Sequence, residues 1–247
     1  MGNSYLIKSY RRISYVTFKR LEQFPFFIHG FSFRLNDKEK QFYNALNIFK
    51  ERVLSIKQIH SSHILIIEKK IDLDSLNDFR GDAIITNQIN LPIAVRTADC
   101  IPIIIFDPKK KIIAIVHAGR KGTLLKITKK VIKKLKEFFG ANPSDVLVGM
   151  GPSIKACCYE VGENVIEFFK KEFIHFKRYI KGNDNNKFFL DLGGINYDQL
   201  LEEGVKRENI LIIDLCTCCH YREFYSYRRN NKEKGRMINI AMLADEE

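Results

Sequence analysis

Short, strongly apolar runs alternate along the chain with amphipathic, lysine-rich segments. An apolar run of roughly four to eight residues that ends at turn residues is typical of a buried strand. The following runs are predicted to be strands: 91–98 (LPIAVRTA), 101–106 (IPIIIF), 112–117 (IIAIVH), 146–150 (VLVGM), 210–215 (ILIIDL) and 237–243 (MINIAML). Only Asp-Pro-Lys-Lys-Lys separates 101–106 from 112–117. Because a parallel crossover needs roughly a dozen residues or more, these two runs are predicted to form an antiparallel hairpin.

Segment 123–139 has the clearest helical pattern. Its apolar residues recur at helical spacing, and Gly140 follows as a stop. They are Leu124, Ile127, Val131, Leu135 and Phe138. The lysines between them are typical of a solvated face, which we favour over a membrane-surface or calmodulin-like role. Further helices are predicted at 163–173 and 195–205.

Strands joined both by short turns and by helices indicate an α+β fold, with mixed β-sheets flanked by helices in a single compact domain. The hydrophobic fraction of 45% and the charged fraction of 28% are those of a globular chain. No linker or internal repeat divides the sequence, so residues 1–247 are predicted to form one domain.

Charge and hydropathy bear on location and partners. No apolar run reaches the roughly 18–20 residues that span a bilayer, and the first residues, MGNSYLIKSYRR, carry charge where a signal peptide is apolar. We therefore expect a cytoplasmic protein with no membrane partner. The net charge of +12 admits a nucleic-acid partner, but the lysines are spread through helices and turns. A phosphate-bearing small molecule is the favoured ligand.

Cys100 and His117 carry the first candidate chemistry, because the predicted hairpin places them at the same end. Such a pair suits two ligands of one metal, or a thiol and its base. His60, in SIKQIHSSH, is the third candidate, with His63 as its competitor. Two imidazoles and one thiolate are a normal zinc set and leave a fourth position for water or substrate.

The other cysteines form two clusters, Cys157–Cys158 and Cys216, Cys218 and Cys219, the latter followed by His220. Six cysteines in 247 residues are too few for a disulfide-built fold. A second, structural zinc site is an alternative interpretation of these clusters, but the spacing of the cysteines is not that of a C-x₂-C knuckle. We favour the reading in which most of these cysteines are small buried fillers.

A series of ordered motifs runs along most of the chain. They are GFSFR (30–34), NALNI (44–48), QIH (58–60), GDAIITN (81–87), TADCIPI (97–103), HAG (117–119), GPSIKACCYEVG (151–162), CTCC (216–219), FYSYRR (224–229) and GR (235–236). Through these motifs and their order, the sequence resembles the purine nucleoside phosphorylase/laccase-like family, also called the YfiH or polyphenol oxidase family.

The resemblance implies a single catalytic domain over 1–247 and a metal set of His60, Cys100 and His117, with zinc as the cofactor and copper as the alternative. It also implies that the protein is a pentosyltransferase, which catalyses the phosphorolysis of adenosine, inosine, guanosine and methylthioadenosine. Adenosine deamination is the implied second activity. The expected partners are thus a purine nucleoside and phosphate. The usual nucleobase deaminase signature, H-x-E with P-C-x-x-C, does not occur in the chain.

Phosphate requires fixed cations. The family motif points to Arg34, with Lys121, Arg228 and Arg229 as helpers. Asp99 is a candidate for catalysis, either orienting a histidine ligand or relaying a proton, and Asp82 is an alternative for the same role.

The sequence departs from the family at Arg120-Lys121, where the family has Trp-Arg. The lysine keeps a positive charge but lacks the planar fork of arginine. We expect this departure to affect ligand affinity or substrate choice and to leave the metal set intact.

Three other functions stay open. A copper-dependent polyphenol oxidase is one, although six histidines with no His-x-His pair are few for several coppers. A cysteine hydrolase with Cys100 as nucleophile and His117 as base is another. The third is a metal-stabilised adaptor without enzymatic activity.

Overall fold

The computed structural model describes residues 4–69, 72, 76, 78–182, 187–230 and 234–245. The α-helices in these ranges are α1 (Glu39–Ala45), α2 (Arg120–Leu124), α3 (Ile127–Phe139), α4 (Glu163–Glu172) and α5 (Leu192–Glu202). The strands are β1 (Tyr5–Tyr10), β2 (Ile13–Phe18), β3 (Phe27–Ser32), β4 (Leu54–Ser55), β5 (Ile64–Ile67), β6 (Ala83–Thr86), β7 (Ile93–Thr97), β8 (Ile101–Asp107), β9 (Ile112–Ala118), β10 (Leu147–Met150), β11 (Glu160–Val161), β12 (Ile180–Gly182), β13 (Phe188–Leu190), β14 (Ile210–Ile212) and β15 (Met237–Leu243).

The strands form two six-stranded sheets and one small sheet. The first sheet has the order β1-β2-β3-β15-β7-β4, and the second has the order β14-β10-β8-β9-β6-β5. The small sheet has the order β11-β13-β12. Both large sheets are mixed, because β4 pairs parallel to β7 and β5 parallel to β6 among antiparallel neighbours. The predicted mixed sheets are thereby confirmed.

The two large sheets pack face to face around an aromatic and aliphatic core. Phe18 and Phe31 from the first sheet meet Ile104, Phe106 and Ile115 from the second. All five side chains are fully buried. Burial of large apolar side chains of this kind contributes about 1.5–3 kcal/mol each, so this layer is a major source of the stability of the fold.

Helices cover the outer faces of both large sheets. Ile127, Val131 and Leu135 of α3 are buried in the core on the outer side of the second sheet. Phe42 and Tyr43 of α1 pack on the outer side of the first sheet. The chain is therefore an α+β fold of sheets flanked by helices in a single compact domain, as the sequence predicts.

The predicted hairpin is confirmed as β8 and β9. Asp107 pairs with Ile112 at the turn, and Ile101 pairs with Ala118 at the open end. All residues of both strands are buried, which explains why their sequences are continuously apolar. The open end brings the residue before β8, Cys100, close to the end of β9.

Some predicted bounds differ from the structure. The predicted helix 123–139 is interrupted, because Lys126 has the left-handed φ of 60° and α3 begins only at Ile127. The predicted strand 210–215 is paired only over Ile210–Ile212. Helix α5 begins at Leu192, since the Asp191 side chain accepts the N–H of Gly194 as an N-cap. Among the described helices, none has both the length and the hydrophobicity to cross a bilayer.

Candidate metal centre and cavity

His60, Cys100 and His117 converge on one point. One nitrogen from each imidazole and the sulfur of Cys100 all lie within 4.8 Å of one another. The two imidazole rings are 4.8 Å apart between centroids and inclined by 63°. His117 comes from the end of β9, Cys100 from the start of β8, and His60 from the connection between β4 and β5. Two imidazoles and a thiolate are the donor types zinc prefers, and this separation suits a single ion.

Asp82 contacts both histidines, the ring of His117 and the backbone of His60. It precedes β6, which pairs with β9, and its carboxylate Oδ1 lies 2.8 Å from Nδ1 of His117. The same carboxylate accepts the backbone N–H groups of His60 and Ser61 and the hydroxyl of Ser61. A carboxylate that accepts the second ring N–H of a ligand histidine fixes its tautomer, so the remaining nitrogen of His117 is available towards Cys100.

Hydrogen bonds at the centre overcome the effect of burial on ionisation. Burial alone raises the pKa of Asp82, but hydrogen bonds from His117 and Ser61 lower it to about 2. Burial lowers the pKa of His117, yet Asp82 and Cys100 raise it to about 9. Burial raises the pKa of Cys100, and hydrogen bonds from His117 and His60 lower it to about 6. Cys100 and His117 thus stabilise each other's charged forms, a thiolate beside an imidazolium, and a bound cation would take the place of the His117 proton.

The backbone at the centre adopts an uncommon conformation. His60 has φ 57° and Asp99 has φ 90°, both in the region that side chains other than glycine seldom occupy. The contacts of Asp82 with the backbone of His60 and Ser61 hold the first of these two positions. Strained positions of this kind cluster at functional sites.

Gly119 leaves the room that the ligands occupy. A Cβ atom at this position would lie 2.8 Å from Nδ1 of His60 and 2.9 Å from Sγ of Cys100. Both distances are shorter than real Cβ contacts allow. Since Gly119 has φ −81°, the requirement for glycine is steric and does not come from the backbone.

The centre lies at the wall of a cavity of about 1040 Å³. His60, Cys100 and His117 all line it, and so do Tyr159 and Tyr227. The cavity is also lined by five cations, which are Arg96, Arg120, Lys121, Arg228 and Arg236. Its size is typical of small-molecule sites, and its charge suits an anionic ligand.

The cations of the cavity differ in their bonding. Arg96 pairs with both carboxylate oxygens of Glu39, at 2.7 and 3.0 Å. Arg228 donates to the carbonyl of Glu160 and lies over the ring of Tyr159. Arg120 and Lys121 are exposed. Neither has a side-chain hydrogen bond or ion pair with any residue that the structure describes.

Two of the predicted phosphate ligands lie elsewhere. The Arg34 guanidinium donates to the carbonyls of Tyr221 and Phe224 and lies 4.5 Å from the ring centroid of Tyr225. Arg229 donates to the carbonyls of Thr217, Cys218 and Phe224. Neither lines the cavity. Both arginines instead hold the segment 217–225 in place. Lys121 and Arg228 are the predicted phosphate ligands that the structure brings to the cavity.

Asp99 lies in the cavity wall but does not contact the histidines. Its carboxylate accepts the hydroxyl of Thr217 and the backbone N–H of Arg228, both at 2.7 Å. The orienting contact with His117 comes from Asp82 instead, the alternative that the sequence left open. Among the cavity residues that the sequence reasoning did not assign are Arg96, Arg120, Tyr159, Tyr227 and Arg236. Arg236 lies in the GR motif, which is the one signal that pointed to it.

The remaining cysteines are not mainly buried fillers, and that expectation is wrong. Cys216 is buried, whereas Cys157 and Cys219 are exposed and Cys158 and Cys218 are half-buried. The sulfur atoms of Cys157, Cys158, Cys216 and Cys219 lie within 4.8 Å of one another. They form a second group of possible metal ligands, distinct from His60, Cys100 and His117.

Comparison with known proteins identifies the family. Residues 33–244 match the family described as multi-copper polyphenol oxidoreductase laccase. A purine nucleoside phosphorylase of Clostridium acetobutylicum is 32% identical over 250 residues, which cover 95% of this chain and 98% of that protein. The adenosine deaminase RL5, from an unknown prokaryotic organism, is 34% identical over 186 residues, 73% of this chain and 71% of that protein.

A solved structure supports the same fold. The crystal structure of YlmD from Geobacillus stearothermophilus matches with a TM-score of 0.84 at 21% identity, over 97% of this chain and 99% of that chain. At this level of identity the match concerns the fold alone. The chain thus belongs to the multi-copper polyphenol oxidoreductase laccase family. The predicted family and the prediction of an enzyme are confirmed.

Proposed function

We propose that this protein is a zinc-dependent purine nucleoside phosphorylase. Its substrates are adenosine, inosine, guanosine or methylthioadenosine together with phosphate, and its products are the free base and the ribose 1-phosphate (the methylthio sugar phosphate in the last case). One observation carries the proposal: a His-Cys-His ligand set opens into a cationic cavity in a chain similar to a named purine nucleoside phosphorylase over 95% of its length. Residues 1–247 act as one catalytic domain, and unpaired thiols suit a cytoplasmic location.

Phosphorolysis requires phosphate to be held next to the sugar. A phosphate oxygen attacks C1′ of the ribose, the bond from C1′ to the purine nitrogen breaks, and its electron pair leaves with the base. Arg120 and Lys121, which have no side-chain hydrogen bond or ion pair within the described part of the chain, can bind the phosphate, and Arg228 lies on the same cavity wall. Charge-assisted hydrogen bonds from such groups stabilise the anion and position it.

Two tyrosines are placed to receive the purine. Tyr159 and Tyr227 line the cavity, and aromatic rings stack well on nucleobases. Burial raises the pKa of Tyr159, so this residue keeps its hydroxyl proton at neutral pH. The hydroxyl can therefore donate a hydrogen bond to the departing base, on which negative charge develops.

His60, Cys100 and His117 hold the metal in this proposal. Zinc bound there would supply a Lewis-acidic positive charge at the cavity wall. Asp82 makes a hydrogen bond with Nδ1 of His117. Because Gly119 has no side chain, it leaves room for the ligand atoms of His60 and Cys100. A zinc ion held by these three side chains would keep one coordination position for water or substrate.

The test is phosphate-dependent release of base by a ligand variant and a matched control. His117→Ala should lower the rate of adenine release from adenosine plus phosphate at least about 1000-fold, since it removes a metal ligand and the charge it supports. His63→Ala is the control, because His63 lies outside both the ligand set and the cavity lining. Equal turnover by the two variants would contradict the assignment of the site.

Adenosine deamination is a second candidate activity, favoured by the similarity to a relative named adenosine deaminase. Chromatographic separation distinguishes the two activities, because deamination yields inosine and ammonia without phosphate, whereas phosphorolysis yields adenine only when phosphate is present.

The family description also names copper. The copper-loaded protein can therefore be tested with a phenol and, separately, with adenosine plus phosphate. Oxidation of the phenol with no conversion of adenosine would support a polyphenol oxidase instead.

A further inference from the structure

The second group of thiols lies between two turns that are distant in sequence. Cys157 and Cys158 are in the turn that follows β10, and Cys216 and Cys219 are in the turn that follows β14. We propose that these four cysteines form a structural site for one soft divalent cation, zinc by preference, separate from His60, Cys100 and His117.

The distances between the sulfur atoms match a tetrahedral thiolate site. Cys157 lies 3.8 Å from Cys158 and 3.6 Å from Cys219, and Cys158 lies 3.3 Å from Cys219. Four sulfurs at a Zn–S distance of about 2.3 Å lie about 3.8 Å apart in a regular tetrahedron. The three measured separations are close to this value, and Cys216 completes the group within 4.8 Å. A small closing movement of the sulfurs around the ion is sufficient.

The fold holds the two turns in register before any ion binds. Ser153 and Cys216 form a parallel β-bridge, and the N–H of Thr217 donates to the carbonyl of Ser153 at 3.1 Å. Within the first turn, the N–H of Cys158 donates to the carbonyl of Lys155. In the second turn, the N–H of His220 donates to the carbonyl of Cys216. Pre-positioned ligands lower the entropic cost of metal binding.

Packing does not explain why four thiols meet here. Cys157 and Cys219 are exposed, so they contribute little to a core. Four uncharged thiols in contact hydrogen-bond only weakly, whereas each thiolate on a divalent cation is paired with the positive charge of the ion. Each thiol loses its proton to water when the ion binds, so the sulfurs are neither oxidised nor reduced.

The consequence of the site is support of the cavity wall. Tyr159, which lines the cavity, directly follows Cys158. Thr217, which directly follows Cys216, donates its hydroxyl to Asp99. An ion that ties the two turns together therefore fixes both sides of this wall without contacting the substrate.

The experiment measures zinc per chain in four proteins purified without chelator. Wild-type protein should hold two zinc ions, and the double variant Cys157→Ser/Cys219→Ser should hold one. Both replaced residues are exposed, which limits the effect on folding. Cys218→Ser is the matched control, because Cys218 lies in the same turn but outside the four-thiol group, and it should hold two. His117→Ala should also hold one zinc, which separates this site from the proposed catalytic centre.

A wild-type measurement keeps the proposal testable if the double variant does not fold. Zinc should protect Cys157, Cys158 and Cys219, which are exposed or half-buried, from alkylation at least about tenfold relative to Cys218, as mapped by mass spectrometry, since a bound thiolate is not free to react. Two zinc ions in the double variant, one in the wild type with no protection of these sulfurs, or a disulfide between Cys158 and Cys219 in the purified protein would each overturn the proposal.

Discussion

Gly119 shows how closely the ligand cluster depends on one residue. Because a Cβ atom there would overlap both Nδ1 of His60 and Sγ of Cys100, Gly119→Ala should displace at least one ligand atom. We expect the zinc affinity of the centre to fall roughly 10- to 100-fold, the usual cost of disturbing the surroundings of a metal ligand. Competition with a chromogenic chelator measures this change.

Gly182→Ala is the control for this substitution. A Cβ atom at Gly182 would meet no atom of the described residues within 4 Å, so the zinc affinity of this variant should equal that of the wild type. Wild-type affinity in Gly119→Ala would show that His60 and Cys100 do not bind the ion in the arrangement described.

The sequence pointed to the ligand triad and offered two candidates, Asp99 and Asp82, for the residue that orients it. Cys100 and His117 could be paired because the hairpin between them is short, and the family motifs added His60. Asp82 was only an alternative to Asp99, because its role depends on the pairing of β6 with β9, which no local pattern reveals. That Arg34 lies outside the cavity lining could not be predicted for a similar reason, since its carbonyl partners lie 187 and 190 residues away along the chain. The roles of all these residues in catalysis remain predictions.

At the scale of elements, α2 brings two cations to the cavity. It begins at Arg120, directly after Gly119, so Arg120 and Lys121 face the cavity while His117 lies in its wall. The left-handed φ of Lys126 separates α2 from α3. Apolar periodicity continues through the break, and for this reason the sequence predicted one helix across it.

The position of α2 leads to a prediction on phosphate binding. Arg120→Ala and Lys121→Ala should each raise KM for phosphate about tenfold, because a hydrogen bond to a charged group contributes about 1.5–3 kcal/mol. The value of kcat should change less, and KM for the nucleoside should stay near the wild-type value. Steady-state kinetics with phosphate varied at saturating inosine give both constants.

Lys136→Ala is the matched control, since Lys136 is an exposed lysine of α3 outside the cavity lining. Unchanged KM for phosphate in both α2 variants would mean that other groups bind the anion.

At the scale of the whole molecule, the layer between the sheets contains a histidine that couples folding to pH. His29 is 3% exposed, and its ring stacks on Phe27 and Phe18. Its Nε2 accepts the backbone N–H of Phe18 at 2.8 Å, so the buried ring is neutral. Burial lowers the pKa of His29 from 6.5 to about 3, and the nearby Glu22 and Lys8 offset each other in part.

The sign of the pH effect follows from this lowered pKa. Below pH 6.5 the unfolded chain binds a proton at His29 that the folded chain excludes down to about pH 3. The free energy of unfolding should therefore fall by about 1.4 kcal/mol per pH unit from this residue alone as the pH drops from 6.5 towards 4. Urea denaturation of the wild type and of His29→Gln over this range measures the difference in slope.

His175→Gln controls for loss of a histidine, since His175 is exposed and should leave the slope unchanged. If His29→Gln kept the full wild-type slope, the acid sensitivity would have to come from other groups.

The sheet sandwich itself was only partly predictable. The continuous apolar runs of β8, β9 and β15 predict these three strands, which lie at the centre of the molecule. The order of strands within the sheets was not accessible, because β15 inserts between β3 and β7 from the far end of the chain. The approach of the two cysteine-bearing turns depends on the same long-range pairing, here of β10 with β14.

The central claim is that His60, Cys100 and His117 bind one metal ion at the cavity wall. Diffraction from crystals of the zinc-loaded protein, collected on both sides of the zinc absorption edge, tests it most directly. We predict an anomalous difference peak within bonding distance of all three side chains, independent of any peak at the four-thiol site. Zinc-loaded crystals with no peak among these three residues would contradict the account.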